Sequence, residues 1–239
     1  MCGRFVGHYS VDELTAEMNE AISESDFTFD TPDVVGPLAQ NFNTAPTHVV
    51  PVLRAIDDRI VVDVMQWGLV PVWSKDPTVG SKMINARSET LTEKPSFKGL
   101  VQKNRCIIPM SGFYEWDRSD PKRKIPYFVP RADGHLMLVA GLWASSPALE
   151  GRHTFSLITR ESIDDLSHIH SRSPVEFNAH DALSWLTETP APLEMFDPTD
   201  QPRFSPYRVS TRVNSVRNND NSLIVPDDGT EDVLQESLF

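Results

Sequence analysis

The sequence predicts a single α+β domain in which short strands outnumber helices. Its 239 residues are enough for one large domain with a real core, and 39% hydrophobic against 23% charged residues is typical of globular proteins. Strand-like apolar runs dominate the centre of the chain, whereas apolar residues at helical spacing appear before residue 25 and after residue 177. Nineteen prolines against eleven glycines predict stiff connections between the strands.

Each element has its own local signal. Ser10 and Glu13 form a capping-box pattern, and the apolar spacing that follows predicts a helix over Val11–Ile22. Residues 25–47 contain three prolines and predict a long loop. Asn178 predicts the cap of a second helix, which continues to Leu186. The predicted strands are His48–Leu53, Ile60–Gln66, Arg105–Ile108, Tyr127–Val129, Leu136–Ala140 and Thr154–Thr159.

The charges divide the chain into a body and two acidic ends. The net charge is −12, which excludes a uniformly basic nucleic-acid binder. Residues 5–53 carry eight acids and no base, and residues 226–239 carry five acids and no base. Residues 75–131 carry twelve bases against six acids, so an anionic partner is expected there. We expect one domain over residues 1–225 and a flexible acidic tail over residues 226–239.

Membrane insertion and secretion are not expected. No apolar run approaches the roughly 18 residues of a membrane helix, and the N-terminus lacks the apolar region of a secretory signal. The two cysteines, Cys2 and Cys106, make no disulfide framework. We therefore expect a cytoplasmic monomer without membrane attachment.

The first chemical feature is the sequence Met1-Cys2-Gly3. Removal of Met1, which aminopeptidases favour before a small residue, would leave Cys2 with a thiol and an α-amine on adjacent carbons. Their reference pKa values, about 8.5 and about 7.7–8.0, give both groups reactive forms at neutral pH. Such a pair either acts as an N-terminal nucleophile or traps an aldehyde as a thiazolidine ring. On Cys2 alone, a small residue of no special role at position 2 is the better interpretation.

Six segments in order give Cys2 a context. They are Cys2-Gly3-Arg4, Asn43-Thr44-Ala45-Pro46, Trp67-Gly68-Leu69-Val70-Pro71-Val72-Trp73, Asn85-Ala86-Arg87-Ser88-Glu89-Thr90, Gly112-Phe113-Tyr114-Glu115-Trp116 and His170-Ser171-Arg172-Ser173-Pro174-Val175. Together they resemble the SRAP family, the SOS-response-associated peptidases or abasic-site-processing proteins, from Cys2 to about Pro226. The resemblance implies a compact α+β domain built on a twisted, barrel-like, mainly antiparallel sheet with peripheral helices.

The resemblance also implies a function and a catalytic set. Family members bind single-stranded DNA and crosslink to abasic sites, whose ring-opened sugar exposes an aldehyde, and this protects damaged DNA at replication forks. By similarity, Cys2 forms the crosslink and Asn85 orients the Cys2 amine or the sugar. Glu115 shuttles protons during imine formation, and His170 acts as acid and base on the deoxyribose. The protein would then be nucleoid-associated when bound to DNA.

Further positions match the family's DNA contacts. Arg4, Arg87 and Arg172 match positions that contact phosphates, and Trp73 and the loop from Asn43 to Pro46 would border the DNA. No cofactor is implied. His168 and His170 lie two apart, but no third ligand cluster follows them, so no metal site is predicted.

Two features depart from the family pattern or from DNA binders in general. Ser171 stands where the family usually has an acid after the histidine, and Ser173 stands where a larger residue precedes the proline. Both changes are expected to affect how the segment around His170 positions the histidine ring. The isoelectric point of about 5.0 predicts weak affinity for undamaged DNA and reliance on the covalent step.

Three other functions stay open. An N-terminal-nucleophile amidohydrolase would also begin with Cys-Gly, although its usual His-Thr-Arg-Trp and Asn-Gly-Glu motifs have no counterpart here. A peptidase would use the same Cys2, and an autolytic cut after Met1 would need no protein substrate. A non-covalent binding module would leave Cys2 without a role.

The last five residues suggest one more partner. Gln235-Glu236-Ser237-Leu238-Phe239 is similar to the bacterial sliding-clamp-binding pentapeptide, with Gln235, Leu238 and Phe239 as the expected contacts. Glu236 replaces the usual leucine. The alternative is an acidic tail that folds back on the domain.

Overall fold

Two β-sheets make up most of the computed structural model, which describes residues 2–30, 40–120, 123–162, 164–197 and 203–227. Strands β1 to β14 are, in chain order, Arg4–His8, Thr28–Asp30, Gln40–Thr44, Val49–Ile56, Arg59–Trp67, Asn85–Arg87, Arg105–Met110, Gly112–Asp120, Arg123–Val129, Met137–Ser146, Arg152–Glu161, Arg172–Pro174, Glu176–Phe177 and Tyr207–Arg208. Helices α1 to α3 are Val11–Ser23, Asp164–Ser167 and Ala179–Thr187.

The larger sheet closes into a five-stranded barrel. Its strands follow the order β11-β10-β7-β4-β5, and the two outer strands pair with each other in parallel. The other four pairings in this ring are antiparallel. Because closure removes the free edges of these strands, the barrel is a rigid frame for the segments attached to it. The predicted barrel-like, mainly antiparallel α+β fold is confirmed.

The smaller sheet brings the N-terminus to the barrel. It has the order β14-β9-β8-β1-β3, with every pairing antiparallel. Strand β1 lies between β3 and β8, with Arg4 opposite Tyr114 and Phe5 opposite Phe113. Cys2 therefore enters the structure beside the strand that carries Glu115.

Helix α1 forms where its capping pattern predicts. The hydroxyl oxygen of Ser10 accepts a hydrogen bond from the backbone N–H of Glu13 at 3.1 Å, and the Glu13 carboxylate accepts one from the Ser10 N–H at 2.7 Å. Its apolar face, Leu14 and Met18, is fully buried in the core that also contains Trp185 of α3. Helix α3 packs against α1 and against the barrel strands β4, β7 and β10, as expected for a peripheral helix.

All six predicted strands and both predicted helices are present, most of them longer than predicted. The long loop predicted over residues 25–47 is wrong, because β2 and β3 lie within it. Strand β3 has the polar sequence Gln-Asn-Phe-Asn-Thr, and its pairing with β1 uses backbone groups that are independent of side-chain polarity. Residues 228–239, with Gln235, Leu238 and Phe239, lie outside the described residues. Over the described ranges, no helix is long and apolar enough to cross a membrane.

Candidate functional site

Cys2 is enclosed at the start of β1. Its side chain has no exposed surface and packs in the apolar cluster that contains Phe5, Trp67 and Phe113. The thiol donates a hydrogen bond to the carbonyl oxygen of Arg4, with 3.6 Å between sulfur and oxygen. Burial, and then the negative charge of Glu115, raise the pKa of the Cys2 thiol far above its usual range. The sulfur is therefore held as a neutral thiol rather than a thiolate.

Asn85 holds the Cys2 backbone. It lies on β6, which pairs in parallel with β11 so that Asn85 stands opposite Leu157. The Asn85 side-chain N–H donates to the carbonyl oxygen of Cys2 at 2.8 Å. The other end of this amide, Oδ1, is buried and accepts no hydrogen bond from any residue that the structure describes. Asn85 thus keeps one acceptor open beside Cys2.

Glu115 and His170 meet across the same site. Glu115 lies on β8 and is 2% exposed, so it does not face solvent as simple strand alternation would allow. Its Oε1 lies 4.0 Å from Nδ1 of His170, whose side chain is 21% exposed. His170 lies in the turn between α2 and β12. The site is therefore closed on the Glu115 side and reaches solvent on the His170 side.

The backbone fixes the histidine ring. The N–H of Arg172 donates to Nδ1 of His170 at 3.0 Å. The carbonyl oxygen of the same residue lies 3.2 Å from Nδ1, so the Arg172 backbone offers this nitrogen both a donor and an acceptor and holds the ring in place in either tautomer.

The four predicted catalytic residues thus come together from distant parts of the chain. Asn85 contacts Cys2, Glu115 acts electrostatically on the Cys2 thiol, and His170 lies next to Glu115. The arrangement combines a cysteine thiol, a buried carboxylate and an imidazole, which are groups that can act as a nucleophile and as proton donors and acceptors.

Arg4 and Asn43 belong to a buried network. One Arg4 nitrogen donates to Asn43 Oδ1 at 2.8 Å and to the Val213 carbonyl at 3.1 Å. The Asn43 Nδ2 donates to the carbonyl oxygens of Val213, Ser215 and Asn218 at 3.0–3.2 Å. Burial lowers the pKa of Arg4 from its usual value. Both side chains therefore hold the loop of residues 213–218 next to the N-terminus, a role that sequence reasoning missed because the partners are about 170 residues apart.

The other predicted DNA-binding residues differ in exposure. Arg87 is exposed on β6, and Trp73 is 64% exposed in the turn after β5. Trp73 borders a cavity of about 240 Å³ that is lined mainly by apolar residues. Pro46 is half-buried in the turn from β3 to β4. Arg172 makes a bidentate ion pair with Glu89, at 2.5 and 3.0 Å, so its guanidinium is already engaged.

No metal centre accompanies these groups. Within the described ranges, no three His, Cys, Asp or Glu side chains are grouped so that they could hold a metal ion.

Comparisons with known proteins agree on one family. Residues 1–216 match the family described as SOS response associated peptidase (SRAP). The chain is 35% identical over 230 residues to the abasic site processing protein YoqW of Bacillus subtilis, covering 94% of this chain and 99% of that protein. It is 31% identical over 235 residues to YedK of Escherichia coli, an abasic site processing protein, with 95% and 100% covered. A crystal structure of a Bacteroides thetaiotaomicron protein superposes with a TM-score of 0.75 at 23% identity, covering 95% of this chain and all of that one.

Proposed function

Because the chain belongs to the SRAP family, we propose that it processes abasic sites in single-stranded DNA by forming a covalent crosslink through Cys2. The relatives named above are abasic site processing proteins, and this chain matches them over nearly their whole length. The observation that carries the covalent step is the convergence of Asn85, Glu115 and His170 on Cys2, a residue that becomes the N-terminus when Met1 is removed.

The crosslink forms in two additions and loses one water. The Cys2 amine attacks the aldehyde carbon of the ring-opened sugar, and the resulting carbinolamine expels its hydroxyl as water to give an imine. The Cys2 sulfur then adds to the imine carbon, a carbon–sulfur bond forms, and the thiol proton is transferred to the nitrogen. The product is a thiazolidine ring.

The surrounding residues take separate parts in this sequence. Asn85 fixes the Cys2 carbonyl and so aims the amine, while its open Oδ1 accepts a hydrogen bond from a sugar hydroxyl. Glu115 removes the proton from the amine and returns it to the departing hydroxyl. His170 donates a ring proton to the sugar ring oxygen during ring opening. The same steps in reverse release the adduct.

The state of the thiol favours this order over a thiolate mechanism. An amidohydrolase needs Cys2 as a thiolate for the first attack. Burial and the charge of Glu115 raise the pKa of the Cys2 thiol, which opposes that ionisation. The amine is therefore the first nucleophile, and the thiol is required only to close the ring.

Removal of Met1 is the one peptidase step that the proposal includes. The family is named for a peptidase, and Cys2, Glu115 and His170 supply a thiol, a carboxylate and an imidazole for such a cleavage. Either an aminopeptidase or this site itself cleaves the bond between Met1 and Cys2 with one water. A protein substrate is not needed in either case.

Single-stranded DNA is held along the face that leads to His170. We assign phosphate contacts to Arg4, Arg87 and Arg172, base stacking to Trp73, and the border of the path to the turn from Asn43 to Pro46. Arg87 and Trp73 are exposed and ready to bind, whereas Arg172 would contact a phosphate while it keeps its ion pair with Glu89. A monomer in the cytoplasm, recruited to the nucleoid at replication forks, fits this role.

Intact mass spectrometry after mixing with abasic single-stranded DNA tests the proposal. The expected species has the mass of the chain without Met1 plus the DNA, less one water. Cys2→Ser keeps the amine but loses ring closure, so only an imine that is lost on heating remains. Cys106→Ser, a change at the other buried cysteine, is the matched control and should crosslink as wild type does. Heat-stable crosslinks by Cys2→Ser would show that the thiazolidine mechanism is wrong.

The C-terminal pentapeptide is proposed as a tether to the replication sliding clamp. Tethering raises the local concentration of a weak DNA binder without any new DNA contact. Gln235 supplies an amide for hydrogen bonding, and Leu238 and Phe239 supply an apolar pair for a surface pocket. A fluorescent peptide of residues 226–239 should bind purified clamp, and the same peptide with Leu238→Ala and Phe239→Ala should not. If the two peptides bind the clamp equally, the proposed tether is refuted.

A further inference from the structure

Arg172 joins the His170 turn to two other segments of the chain. Its Nη1 and Nη2 donate to the two carboxylate oxygens of Glu89 at 2.5 and 3.0 Å. Nη2 also donates to the carbonyl and hydroxyl oxygens of Thr159 on β11. The side chain of Arg172 is only 11% exposed, and such a bidentate pair fixes the plane of the guanidinium as well as its position.

The backbone of Arg172 is what orients His170. Its N–H donates to Nδ1 of His170 at 3.0 Å, and the N–H of His170 itself donates to the Leu166 carbonyl at 2.9 Å. A shift of the Arg172 backbone breaks the first of these bonds and frees the imidazole to rotate or to change its tautomer. The side-chain anchors of Arg172 therefore limit the ring orientation and the tautomer of His170.

Glu89 ties this anchor to the segment that holds Cys2. Asn85 and Glu89 lie four residues apart in one continuous stretch, and the strand between them pairs with β11 from Asn85 to Arg87. Asn85 contacts the Cys2 carbonyl at one end, and Glu89 contacts Arg172 at the other. One rigid segment therefore carries both the support of the nucleophile and the support of the His170 turn.

The Glu89 carboxylate is suited to this task. The hydrogen bond from Arg172 holds the pKa of Glu89 below its usual value, so the pair is ionic at neutral pH. Its side chain is 47% exposed, so replacing it leaves no buried cavity. The pair is consequently of small value for overall stability, and its effect is local.

We propose that Glu89 is a positioning residue for the crosslinking reaction, acting through Arg172 to hold the His170 ring in one tautomer and in a fixed place relative to Cys2. The inference rests on the proposed function for its kinetic consequence. Its structural consequence, the state of the His170 ring, is measurable in the protein without DNA.

Glu89→Gln and Glu89→Asp test the role in the full-length chain. Glu89→Gln removes the charge and one of the two acceptors, whereas Glu89→Asp keeps the ionic pair at a shorter reach. Glu93→Gln, at an exposed glutamate four residues further on, is the matched control. At saturating abasic DNA we expect Glu89→Gln to crosslink about 10-fold to 100-fold more slowly, since misplacing a reacting group by about 1 Å has effects of this size. Glu89→Asp should recover part of the rate, and Glu93→Gln should match wild type.

Nitrogen-15 spectra of the His170 ring provide the independent measurement. In the wild-type protein without DNA, the two ring nitrogens should show a single tautomer, with the signals assigned by their loss in His170→Ala. Glu89→Gln should show a mixture of tautomers, with an unchanged melting temperature. A Glu89→Gln variant with the wild-type ring signals, or with the wild-type crosslinking rate, would overturn the inference. If wild type itself forms no crosslink, the proposed function fails, and the ring signals alone still decide whether Glu89 holds His170.

Discussion

Replacing Asn43 by alanine distinguishes a structural role from a direct DNA contact. The Asn43 side chain is 1% exposed. It accepts one hydrogen bond from the Arg4 guanidinium and donates to three carbonyl oxygens of the loop at residues 213–218. Asn43→Ala removes all of these bonds at once, leaving an arginine nitrogen and the loop carbonyls without this partner.

The magnitude follows from the kinds of bond that are lost. The two N–H donors of the Asn43 amide contribute about 1 kcal/mol each, and the bond from the charged guanidinium contributes about 2 kcal/mol. The free energy of unfolding should therefore decrease by about 4 kcal/mol. For a chain of this size each kcal/mol lowers the melting temperature by about 2–4 °C, which predicts a decrease of about 8–16 °C.

Thermal and urea unfolding of the full chain measure this effect. Asn19→Ala, at an exposed position of α1, is the matched control and should melt within about 2 °C of wild type, since a surface change of about 0.5 kcal/mol shifts the melting temperature by no more than that. Single-stranded DNA affinity measured well below both melting temperatures completes the test. If Asn43→Ala has the same melting temperature as Asn19→Ala but binds DNA more weakly, Asn43 contacts DNA directly. The structural role of Asn43 is then refuted.

Four further substitutions address the reaction and the DNA path. Glu115→Gln should slow crosslinking by about 10²–10⁴-fold with DNA affinity within a few-fold of wild type, because it removes a positioned proton-transfer group; a wild-type rate in a single-turnover gel assay would exclude that role. Arg87→Ala and Arg172→Ala should each weaken DNA binding and reduce the slope of log affinity against log salt by about 0.7, as expected for one lost phosphate contact on a single strand. Salt slopes equal to that of wild type would remove both arginines from the binding path. Trp73→Ala should weaken binding by about 1–3 kcal/mol, the value of one stacked base, and barely change the melting temperature because the ring is 64% exposed. A large loss of stability with unchanged affinity would instead make Trp73 a core residue.

The sequence by itself determined the local elements and pointed to the candidate catalytic groups. Helix α1 follows from the capping box at Ser10 and the spacing of its apolar residues, because both signals act within a few residues. The six apolar runs became strands for the same reason. The ordered motifs around Cys2, Asn85, Glu115 and His170 predicted a family that the comparisons confirm over residues 1–216.

Only the tertiary structure decided which groups touch. Strand β3 has a polar sequence and forms because β1 offers it a backbone edge. Glu115 and its neighbour Tyr114 are both buried, which strand alternation does not predict, because each face of β8 is covered by a different part of the chain. Arg172 finds its carboxylate in Glu89, 83 residues away, rather than in an acid beside His170. Such contacts depend on how the barrel closes, and closure is a property of the whole chain that no local pattern encodes.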